Sequence, residues 1–165
     1  MNRETSKSVR EGDKLMTPLF KKLNLGDHRE VLVLNGPESF EAELQLLEDV
    51  DVFRKSKRGR AIGFAIYFVT TLKGIATVAK TLSHAPGDPV IWFAYPKGTS
   101  KKYDCEFNRD NGFGALGEAG FEGVRQVAID EDWSALRFRR VEHIKNLKRS
   151  SAMALTKEGK SRTKK

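Results

Sequence analysis

The chain has 165 residues, 39% of them hydrophobic, which suits one domain with a real core, and its net charge is +8. One cysteine, Cys105, excludes an internal disulfide framework, and no uncharged apolar run approaches the roughly 18 residues of a membrane helix. The polar start, Met1-Asn2-Arg3-Glu4, has no apolar core of a secretory leader, so the expected compartment is the cytoplasm.

Residues 1–16 read as a loose polar segment, 17–145 as a single α/β domain, and 146–165 as a basic tail too poor in bulky residues to fold. Thr17 and Pro18 open a short helix that Gly26 closes, with Leu19, Phe20 and Leu23 on one face. Residues 30–35, EVLVLN, are an aliphatic run broken by Gly36-Pro37, the pattern of a strand buried on both faces. Phe40, Leu44 and Leu47 then recur at helical spacing, and residues 50–53 alternate like a short edge strand. A basic loop, 55–60, leads into a second buried strand at 61–69.

Thr70 or Thr71 caps the next helix, whose apolar stripe is Leu72, Ile75, Ala76, Ala79 and Leu82, and Pro86-Gly87 stops it. Residues 90–96, VIWFAYP, form a third buried strand that runs into Lys97-Gly98. A polar stretch and a short Gly-rich helix at 113–119 follow. Residues 124–129 and 135–141 then flank a turn short enough to make an antiparallel pair. This order predicts an α/β fold: a small Rossmann-like, mostly parallel sheet flanked by helices and ending in an antiparallel hairpin.

Such sheets hold ligands at the carboxyl ends of their strands, where the strand order reverses. The candidate ligand-binding residues are therefore Asn35, Gly36, Thr70, Tyr95 and Lys97, with Trp133 in the hairpin turn as a wall. Tyr95 and Trp133 would favour a planar ligand, and Lys97 an anionic one.

Catalytic machinery is thin. GFGALG at 112–117 matches G-x-G-x-x-G in letters, but a polar loop precedes it where the motif needs a strand. Glu38, Glu41 and Glu43 crowd the loop after the first strand, where they would repel a phosphate. His28, His84 and His143 are scattered without metal-ligand spacing, so no metal is expected. Asp104 and Glu106 flank Cys105 and disfavour its thiolate. Asp130, Glu131 and Asp132 read as turn chemistry. These absences point to a binding or scaffold-type protein, with no cofactor, rather than an enzyme.

The charge supplies an alternative. Residues 137–165 hold eleven Lys and Arg against Glu142 and Glu158, a balance of +9, which leaves the remainder nearly neutral. Nucleic acid could associate through Lys148 and Arg149 of the tail and through Lys55, Lys57, Arg58 and Arg60. A third alternative is a reduced methyltransferase-like enzyme, because that fold also ends in an antiparallel hairpin; the glycine-rich first loop is missing.

The segment VIWFAYPKGTSKKYDCEFNRD, followed by GFEGVRQVAIDEDWSALRFRR, resembles a bacterial family catalogued as a domain of unknown function, number 3052. The matching positions are Trp92, Tyr95, Pro96, Lys97, Asp104, Arg109, Asp130, Trp133, Ser134 and Leu136, with Asn35 and Pro37 in the first loop. The resemblance spans about residues 17–141 and departs at 55–60 and beyond 145. It implies a Rossmann-like fold and no assigned reaction.

Overall fold

The computed structural model describes residues 17–55, 63–83, 85, 87–108 and 111–144. Lys57, Arg58, Arg60, His84, Arg109, Lys148 and Arg149 lie outside the described residues, as do segments 1–16 and 145–165.

Helix α1, Pro18–Lys22, starts where Thr17 accepts a hydrogen bond from the Phe20 amide at 3.1 Å. Proline at its first position loses no bond there, because that amide has no intrahelical acceptor. Strand β1, Glu30–Leu34, ends at Asn35, which turns the chain in the left-handed region at φ 61°. Helix α2, Glu38–Gln45, carries Glu38 and Glu41 in its first turn, where carboxylates complement the helix dipole. Strand β2, Asp51–Phe53, is the short edge its alternation predicts.

Strand β3, Phe64–Phe68, is buried at every position, as is β4, Val90–Pro96. Between them runs helix α3, Leu72–Leu82. Its cap is Thr71, whose hydroxyl accepts from the Gly74 amide at 3.0 Å, so Thr70 stays outside the helix. Helix α4, Gly114–Glu118, is a five-residue helix. Strands β5, Phe121–Ala128, and β6, Trp133–Arg140, complete the sheet and begin two to three residues earlier than their apolar pattern predicts.

The six strands lie in the order β2-β1-β3-β4-β6-β5, and β6 runs opposite to the other five. Helices α1 and α2 cover one face, where Phe20, Phe40, Ile66, Phe68 and Trp92 pack together. Helices α3 and α4 cover the other, over Tyr67, Ile75, Phe93, Phe113 and Phe138. Both faces being covered explains why the parallel strands read as continuous apolar runs. Among the described residues, no helix is long and apolar enough to cross a membrane.

Candidate functional site

The chain leaves β1 outward to β2 and returns on the other side of β1 to form β3. The connections therefore diverge at the carboxyl ends of β1 and β3, which leaves a crevice between them. It has a volume of about 640 Å³. Its walls include Asn35 and Pro37 after β1, Tyr67 to Thr70 at the end of β3, the α3 cap Thr71, and Lys73, Gly74 and Thr77 of α3. Tyr103 and Trp133 close one side, their rings 4.9 Å apart.

The hairpin turn holds Trp133 in place. The Asp130 carboxylate accepts from the amides of Asp132 and Trp133 at 2.8 and 2.9 Å, which is the turn chemistry the acidic cluster predicts. The loop after β4 is tied to the same turn, through the Lys97 amide to the Asp132 carbonyl and Ser100 Oγ to Asp132 Oδ1.

Three of the six residues expected at the rim line this crevice: Asn35, Thr70 and Trp133. The other three do not line it. Tyr95 pairs with Ser134 while Pro96 pairs with Trp133, so Tyr95 projects to the opposite face from the indole. There it is buried against Phe107 and Phe113, and its hydroxyl accepts from Gln126 Nε2 at 3.1 Å. Lys97 follows β4, one strand beyond the reversal, and the cation in the crevice wall is Lys73 instead. Gly36 serves packing: a Cβ there would lie 3.1 Å from Val33 Cγ1 and close to Phe40 and Phe68.

Sequence reasoning missed Tyr67, Lys73 and Tyr103. Tyr103 carried a signal, as an aromatic within a polar loop. Lys73 lies outside the apolar stripe of its helix, and Tyr67 falls inside a run that reads as buried strand. Burial pushes the Tyr67 phenol up to about 12, so it remains a neutral hydroxyl in the wall. Among the described residues the crevice lining contains no carboxylate, and the first turn of α3 adds the partial positive charge of a helix start.

Among the described residues of this lining, no nucleophile–base pair is evident. Burial, with Glu106 adding to it, pushes the Cys105 thiol up, whereas a hydrogen bond to the backbone of Phe107 pulls the other way. Among the described residues, no three His, Cys, Asp or Glu side chains are grouped to hold a metal ion. The G-x-G-x-x-G letters enter the short α4 from an isolated bridge between Asn108 and Asn111, and among the described residues no strand leads into them.

No family model and no curated protein matches the chain. Its sheet and switch-point crevice are those of a Rossmann-like α/β domain. Among solved structures it is similar to a SAM-dependent methyltransferase from Aquifex aeolicus, at a TM-score of 0.50 and 13% identity. That match covers 74% of this chain and 88% of the other. A protein of the NADB-Rossmann superfamily from Streptococcus agalactiae aligns at a TM-score of 0.43 and 11% identity, over 76% of this chain and 68% of that one. At 13% identity the likeness to the methyltransferase is one of fold alone.

Proposed function

We propose that this chain is a small-ligand-binding domain whose ligand sits in the switch-point crevice. The observation that carries the reading is the crevice lining: about 640 Å³ with, among the described residues, Lys73 as its cation, no carboxylate, and Tyr103 and Trp133 on one side. That volume falls within the roughly 300–1,000 Å³ of small-molecule sites. Lys73 and the start of α3 favour an anionic group, and the aromatic side favours a flat body. The test is calorimetric titration with a panel of nucleotides and aromatic carboxylates. For a ligand so found, Lys73→Ala should weaken binding by about tenfold, the scale of one charge-assisted contact, without lowering the melting temperature. A ligand indifferent to both Lys73→Ala and Asn35→Ala binds elsewhere, and the reading fails.

The strand order and the methyltransferase-like neighbour favour a second reading, a reduced methyltransferase-like enzyme holding S-adenosylmethionine in the same crevice. Its difficulty is chemical. Nucleoside-binding sheets of this kind place a carboxylate for the ribose beyond the second strand. Here Arg54 follows β2 and is ion-paired with Glu41, 2.8 Å from Nη2 to Oε1. Titration of the full chain with S-adenosylmethionine separates the two readings, since absence of binding removes the second and leaves the first standing.

A further inference from the structure

Away from the crevice, the register of β5 and β6 places Arg125 directly opposite Arg137, and Arg139 follows two residues on, on the same face. Like charges directly opposed across strands destabilise a sheet. Arg139 is balanced, gripping Asp88 through Nε and Nη2 at 2.6 to 3.1 Å. Glu122, opposite Arg139, is fully buried and already engaged. Arg137 is not balanced. Its Nε is buried without a hydrogen-bond partner, and neither it nor Arg125 has an ion pair among the described residues. Burial, then Arg139 and Arg125, lower the Arg137 pKa, and nearby Asp88 opposes them. A guanidinium keeps its proton at neutral pH, so the facing charges favour an anion between them. Protecting the exposed edge strand would explain Arg125 but not a second charge facing it.

We propose that Arg125 and Arg137 form a phosphate-binding pair on the β5–β6 face, engaging the backbone of a nucleic acid. Planar guanidinium forks match phosphate oxygens two at a time. Residues 138–165, which follow the pair in sequence, hold ten Lys and Arg against Glu142 and Glu158, a balance of +8, and that charge suits a polyanionic partner.

The test uses the full chain and a labelled single-stranded oligonucleotide of about 20 nucleotides, with fluorescence anisotropy read across a salt series. Replacing both arginines (Arg125→Gln with Arg137→Gln) should weaken binding at least tenfold at low salt. The slope of log K against log salt should become shallower by about 1.4, since each phosphate contact on a single strand contributes about 0.7. If that variant fails to fold by circular dichroism, Arg125→Gln alone, on the exposed edge, should lower the slope by about 0.7. A second arm titrates pyrophosphate: binding that requires the pair, without oligonucleotide binding, keeps the phosphate site but assigns it to a small ligand. Unchanged affinity and slope in the folded variant, with no pyrophosphate binding, overturn the proposal.

Discussion

Tyr67 lies in the crevice wall with 5% of its surface exposed, and burial pushes its pKa up to about 12 from the ordinary 10. The folded state thus holds this proton more tightly than the unfolded chain does. Its contribution to stability is complete below about pH 10 and is lost as the pH rises through about 12, by roughly 2–3 kcal/mol in all. Tyr67→Phe should remove that alkaline loss. Denaturation by urea at about pH 9 and about pH 11 would show it, and equal losses in both proteins would refute the assignment. Thr71 and Thr70 make a second comparison at this scale. Thr71→Ala removes the acceptor for the Gly74 amide and should cost about 1 kcal/mol, whereas Thr70→Ala, which removes no cap, should cost less. Their adjacency left the cap ambiguous in the sequence. Only the geometry of the turn separates them.

Between elements, two ties join the sheet to its surroundings. The Trp92 indole on β4 donates to the Leu23 carbonyl just after α1, at 2.8 Å, with the whole side chain buried. Trp92→Phe leaves that buried carbonyl without its partner and removes part of the ring, so it should cost about 1–3 kcal/mol by urea denaturation. The loop before β4 is tied to β6 by Asp88 and Arg139. The hydrogen bond from Arg139 holds the Asp88 carboxyl below its usual pKa, with burial opposing and the charges of Arg139, His143 and Arg137 assisting. A depressed carboxylate stabilises the fold above its unfolded pKa of about 3.9, and that stabilisation is lost as the pH falls through the lower folded value. The stability gap between wild type and Asp88→Asn should therefore be open at neutral pH and close under acid. A gap that persists undiminished as the pH falls would mean that the carboxylate's charge is not what matters.

Across the whole molecule, one twisted sheet separates two apolar layers, and β3 and β4 are buried on both sides at its centre. Their amides should exchange with solvent only through global unfolding, whereas those of the three-residue edge strand β2 should exchange by local opening. Native-state hydrogen exchange checks this ordering, and β2 amides as protected as those of β3 would contradict it. The same architecture sets the crevice apart from the arginine pair. One lies at the order reversal between β1 and β3, the other on the far pair of strands.

The sequence by itself determined the elements and their class, because each rests on local physics. Strands covered on both faces need unbroken apolar runs, and Thr17, Pro18 and Asp130 act on backbone groups only a few residues away. It also located the rim, since Asn35 and Thr70 sit where their strands end. What lies across the sheet was decided by register. A slip of one residue sends a side chain to the other face, so the pairing of Tyr95 with Ser134 turned an expected ligand contact into core. The shift in β5 between Gly123 and Arg125 likewise brought Arg125 opposite Arg137, twelve residues away in the chain. No local pattern encodes that juxtaposition; it exists only once the hairpin has closed and its bulge has set the alternation.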